Sequence, residues 1–90
     1  FNSVSKETTA LSCDGVFVSI GRAPNIELIK NQLDTDNQGY IIADETTKTK
    51  IPGVFVAGDV RQKPLRQIVT AAADGAVASK YAEEYIGDLI

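Results

Sequence analysis

The stretch VFVAGDVRQKPLRQIVT, Val54 to Thr70, gathers the residues best equipped for binding chemistry. A run of four apolar residues ends at Gly58, where the missing Cβ lets a ligand approach the main chain. Asp59 follows, an acceptor-only carboxylate suited to the hydroxyls of a ribose or ribityl chain. Beyond it, Arg61, Lys63 and Arg66 cluster where a helix is expected to begin at Pro64. Cations there oppose the positive end of the helix dipole, at a cost of about 0.3 to 1 kcal/mol each when exposed. Such a placement calls for an anion or an electron-rich carbonyl, which unpaired first-turn amides also favour.

Those residues need elements to hold them. GVFVSI, Gly15 to Ile20, is a continuous β-branched and aromatic run, the pattern of a strand buried on both faces, and VFVA, Val54 to Ala57, repeats it. The second run ends at Gly58, which puts Asp59 at a carboxyl strand end, where ligands of α/β sheets bind. GRAPN supplies turn punctuation, and Asn25 is the expected N-cap of a short helix IELIKNQL. Tyr40 to Ala43 reads as a short strand after the polar turn DTDNQG, contributing sheet core or an interface.

The last helix is expected from Pro64 to Ile86. At 100° per residue, Leu65, Ile68, Val69, Ala72, Ala76 and Ile86 share the buried side, with Thr70, Asp74, Glu84 and Asp88 opposite. That side is mostly small, and Gly75 in mid-helix points to close approach of a sheet or another backbone. Tyr81 and Tyr85 are read as packing or oligomer contacts.

Composition narrows the function. Ninety residues make at most one small domain, and the first residue is Phe1, so the chain is expected to be a piece of a longer protein. A net charge of −3 argues against a nucleic-acid partner. No apolar run approaches the ~20 residues of a membrane span, and the cytoplasm is the expected compartment. One cysteine and no histidine exclude an internal disulfide and leave no Cys/His metal site. Cys13, before an expected buried strand, reads as a small packing residue, and Asp34, Asp36 and Asp44 as turn residues rather than a cation site.

TKIPGVFVAGDV, Thr49 to Val60, is similar to the T-x-x-x-x-h-h-h-h-G-D motif of FAD-dependent pyridine-nucleotide disulfide oxidoreductases. CDGVFVSIGRAPN resembles the segment in which that family's chain leaves the NADPH domain and re-enters the FAD domain, and GDVRQKPLRQIVTAAADGAVAS resembles the C-terminal segment of the low-molecular-weight thioredoxin reductase class. The resemblance implies an α/β fold with parallel strands at 16–20 and 54–57, the C-terminal portion of a three-layer ββα FAD/NAD(P)-binding sandwich, with 1–14 ending the NADPH domain or its connecting strand and 15–90 in the FAD domain. It implies that Asp59 bonds a ribityl hydroxyl of FAD, that Gly58 admits the pyrophosphate end, and that Arg66, Gln67 and Ile68 face the pyrimidine edge of the isoalloxazine. Gly21 to Asn25 would be an architectural turn. The implied parent is a homodimer passing electrons from NADPH through FAD and a Cys-x-x-Cys dithiol to thioredoxin. Neither a Gly-x-Gly-x-x-Gly fingerprint nor that dithiol lies in these residues, so the 90 residues alone are expected to be inactive. The alternatives are the flavoprotein subunit of alkyl hydroperoxide reductase, more distantly a ferredoxin reductase of the same fold, and a non-catalytic fragment that self-associates.

Overall fold

A computed structural model describes all residues 1–90. It is long and thin, 66 × 27 × 21 Å, with a radius of gyration of 19.0 Å. A compact chain of this length would have a radius of gyration of about 12 Å. The excess comes from the first 25 residues, which are extended and almost wholly exposed apart from a tight turn where the Asn2 side chain accepts from the amides of Val4 and Ser5.

Everything that packs lies between Pro24, which sits against Gly39, and the C-terminus. Leu33, Ile41 and Val56 form a small core, with Ile26, Ile29, Ala43, Ile51 and Val60 against it. Ile41 is its crossing point. Its amide donates to Val60 O (2.8 Å), its carbonyl accepts from Gln62 N (2.7 Å), and it also forms an antiparallel bridge with Thr35. Asp36 sets the preceding turn by accepting from the amides of Gln38 and Tyr40. Residues 47–56 form a hairpin, tied by Val56 N to Thr47 O and by the Thr49 hydroxyl to Val54 O (2.8 Å).

The long helix α1, Ile68–Leu89, lies along this body. It starts four residues later than Pro64, because Gln67 is extended (φ −141°, ψ 167°) and donates its amide to the Thr70 hydroxyl at 2.9 Å. It is also turned relative to the amphipathic expectation. Asp74 is buried and Ala71, Val77, Ala78, Tyr81 and Tyr85 are half-buried, whereas Leu65, Ile68, Val69, Ala72, Ala76 and Ile86 are exposed. Gly75 faces open space, with no atom within 4 Å of a would-be Cβ. The helix seats through its polar and aromatic face on the hairpin, and these 90 residues bring no sheet to its small apolar face.

The expected strands are corrected on the same ground. Val16–Ile20 is extended but bonded to nothing, with Phe17 fully exposed, and Val54–Ala57 makes a single bridge, Phe55 to Lys48. A parallel strand buried on both faces needs neighbours on both sides; Val54–Ala57 has only the antiparallel hairpin partner at 47–49, and Val16–Ile20 has none. Cys13 is exposed rather than packed, for want of that same sheet. The Asn25 helix is reduced to one 3-10 turn, Glu27–Ile29, and Tyr40 and Ile41 are buried while Ile42 is exposed. No helix is long and apolar enough to cross a membrane.

Candidate functional site

The Gly58–Val60 segment forms a 3-10 turn that carries Asp59 outward between the hairpin and α1. Gly58 adopts φ +83°, a left-handed conformation that glycine takes without a Cβ penalty, and so its identity is explained by the backbone. Its amide points inward and donates to Asp74 Oδ2 at 3.0 Å. Arg61 closes the turn with its own amide to Gly58 O (3.1 Å).

Around this turn lies the charge cluster that the sequence left without a partner. Arg61 is 4% exposed, and its guanidinium grips Asp74 through Nε to Oδ2 and Nη2 to Oδ1, both 2.9 Å. Its other donors reach Ala43 O, Asp44 O and Glu45 Oε1. Lys63 Nζ also pairs with Asp74. The Arg61 guanidinium, then Lys63 and the Gly58 amide, outweigh burial and hold the Asp74 carboxyl well below the usual carboxylate range; the same contact raises Arg61. Two of the three cations therefore belong to an internal ion pair and not to a ligand or the solvent. None of the three sits in the first helical turn, so the dipole conflict does not arise. The amphipathic count missed Asp74 because it assigned the polar side to water. The signal available was a lone acid in AAADGAVA, with cations 11 and 13 residues earlier.

Arg66 behaves differently. Its guanidinium stacks on the Tyr40 ring, 3.5 Å from the centroid, while Nε donates to Asp59 O (3.0 Å) and Nη2 to Arg61 O (3.4 Å). From there it borders an open crevice of about 510 Å³ lined by Arg22, Asp59, Arg66, Gln67, Ile68 and Ala71. Two adjoining hollows share Arg22, Arg66 and in part Tyr40, making a continuous trough. Four of the five sequence-derived site residues thus line one surface, and Gly58 lies behind it. Arg22, read from sequence only as part of a turn, is the added member. The amides of Ile68 and Val69 at the start of α1 have no acceptor in the chain. Two guanidinium-bearing side chains, free amides and an exposed carboxylate suit an anionic ligand that also carries hydroxyls.

The aromatic residues of the helix occupy its far half. Tyr85 meets Phe55 edge to face (6.5 Å, 75°), and Lys48 lies 4.6 Å from the centre of the Tyr81 ring. Both tyrosines are packing residues on the hairpin.

The sequence pattern described as "Pyridine nucleotide-disulphide oxidoreductase" matches residues 2–75. The chain belongs to that family. It is 46% identical to the thioredoxin reductase of Peptoclostridium acidaminophilum over 94% of its own length and 29% of that protein's. It is 51% identical to a "34.2 kDa protein in rubredoxin operon" of Clostridium pasteurianum, over 96% of this chain and 28% of that protein. Among solved structures, Lactococcus lactis thioredoxin reductase in its FR conformation superposes with a TM-score of 0.77 at 43% identity, covering 82% of this chain and 24% of that one. The chain is a thioredoxin reductase-like piece with the pyridine-nucleotide oxidoreductase fold, and it spans a little over a quarter of the length of the curated relatives it matches.

Proposed function

We propose that the chain is the C-terminal part of a thioredoxin reductase and supplies one wall of its flavin site. Residues 1–14 then end the NADPH domain or its connecting strand, and 15–90 belong to the FAD domain, a three-layer ββα sandwich completed by sequence outside these 90 residues. The observation that carries the reading is the trough itself: Asp59, Arg66, Gln67 and Ile68 meet there beside two unpaired helix amides. Asp59 binds a ribityl hydroxyl of FAD. Gly58, expected to admit the pyrophosphate end, instead contributes through its backbone, holding the turn behind that contact. Arg66, Gln67 and Ile68 face the pyrimidine edge, where the helix start favours the negative charge of reduced flavin. FAD supplies the electron-carrying chemistry when bound; this chain's residues bind and orient it. The intact protein would be a cytoplasmic homodimer that takes electrons from NADPH and delivers them through a dithiol outside these residues to thioredoxin, and the 90 residues alone would not turn over.

The test is to purify the full-length protein and measure flavin absorbance and NADPH-dependent reduction of thioredoxin. A flavin-loaded protein that leaves thioredoxin oxidised would overturn the reading. A second reading keeps the flavin site but changes the electron acceptor, as in the peroxiredoxin-reducing flavoprotein of alkyl hydroperoxide reductase. Activity with a peroxiredoxin and none with thioredoxin would select it.

A further inference from the structure

Asp74 does not line the trough, yet it controls two residues that do. Its carboxylate binds the first residue of the Gly58–Val60 turn that carries Asp59 and the residue just after it: the Gly58 amide at 3.0 Å and the Arg61 guanidinium through two 2.9 Å bonds. Lys63 adds a third donor. Arg66 is in turn anchored to that turn, through the carbonyls of Asp59 and Arg61. One carboxylate on the second turn of α1 therefore sets the spacing between the helix start, the Asp59 side chain and the Arg66 guanidinium. At 4% exposure, Asp74 is shielded from any ligand in the trough.

We infer that Asp74 is a positioning residue for the flavin trough, acting through the Gly58–Arg61 turn; the ligand named here rests on the reading of the trough as a flavin site. An asparagine at this position keeps the shape but offers one carbonyl oxygen where the carboxylate uses two, and it removes the charge that holds Arg61 and Lys63. The turn then loosens, and Asp59 and Arg66 lose their fixed separation. Misplacement matters because ligand affinity depends on donors and acceptors being held in place before binding.

The experiment compares the full-length protein with its Asp74→Asn, Asp59→Ala and doubly substituted forms, using two readouts. Hydrogen exchange of the peptide spanning residues 56–62 reports the turn without reference to any ligand. Titration of apoprotein with FAD reports the consequence. Asp74→Asn is expected to speed exchange in that peptide while the distal half of α1 keeps its protection, and to raise the Kd for FAD roughly tenfold. The double variant is expected to bind FAD no more weakly than the weaker single variant, since both changes disable one element. Should Asp74→Asn fail to fold, Asp74→Glu keeps the charge but displaces the turn, and the same local exchange and weaker FAD binding are expected. Unchanged exchange at 56–62, or fully additive losses in FAD affinity, would overturn the inference. Failure of the unsubstituted protein to bind FAD would refute the flavin reading instead, and the exchange result would then decide the role of Asp74 alone.

Discussion

Replacing Arg61 by alanine tests the internal ion pair most directly. The substitution removes two bonds to Asp74 and three further donations to Ala43 O, Asp44 O and Glu45 Oε1, and leaves Asp74 with only Lys63 and the Gly58 amide. Removing one partner of a buried pair costs about 3 to 5 kcal/mol, because the other charge stays behind uncompensated. Lys63 still neutralises part of Asp74, which places the expected loss near the lower end, about 3 kcal/mol. Urea denaturation of the full-length protein should show the transition midpoint falling with its slope unchanged. The pH dependence supplies an independent sign. Asp74 has a depressed folded pKa, so its contribution is fully present above the unfolded carboxylate value of about 3.9 and is lost as pH falls from there toward the folded value. Without Arg61 that depression shrinks, and the variant should lose stability less steeply than the unsubstituted protein on acidification below pH ~4. A loss below about 1 kcal/mol, or an acid slope identical to the parent's, would refute the reasoning, since either result places the pair in solvent-like surroundings.

Three other outcomes follow from single residues. Thr47 is fully buried and its hydroxyl has no partner, so Thr47→Val, which keeps the branched shape, should stabilise the protein by about 1 kcal/mol in thermal or urea unfolding; a loss would mean the hydroxyl is satisfied by bound water. Gly53 has φ +85°, and a Cβ there would lie 3.0 Å from Tyr85 Cε1, so Gly53→Ala should cost about 2 kcal/mol; adding Tyr85→Ala should give no further loss from the clash itself, and strictly additive losses in the double-mutant cycle would remove the steric half of the argument. Arg66→Ala should weaken FAD binding about tenfold in a fluorescence titration and lower the denaturation midpoint modestly through the lost Tyr40 stacking, whereas unchanged affinity would take Arg66 out of the proposed flavin site.

What sequence makes legible here is what is local. The Gly58–Asp59 turn, the helix after it and the hydrophilic turns at Asp36 and Asp44 depend on neighbouring residues, and each appears close to where the pattern puts it. The helix start shifts from Pro64 to Ile68 because Thr70 caps Gln67, a choice between two adequate N-terminal signals that spacing alone does not rank. The facing of the helix is not local. A Leu–Ile–Val–Ala stripe announces a buried face, but here the face that packs holds Asp74, Tyr81 and Tyr85, because only the hairpin and the Arg61 cluster are available to it. In the same way Val16–Ile20 has the composition of an interior strand without interior surroundings. Residue type records the surroundings for which it is suited, whereas exposure records those the 90 residues supply.

The exposed run at Gly15–Ile20 has a consequence for the life of the polypeptide during synthesis. It is short, β-branched, aromatic, uncharged and free of proline, which is the signature of a segment that pairs readily with any open strand edge. Asp14 lies immediately before it and Arg22 just beyond it, so opposite charges bracket the run as gatekeepers. Those two charges are the local guard against edge pairing of the run, and Arg22 also lines the trough.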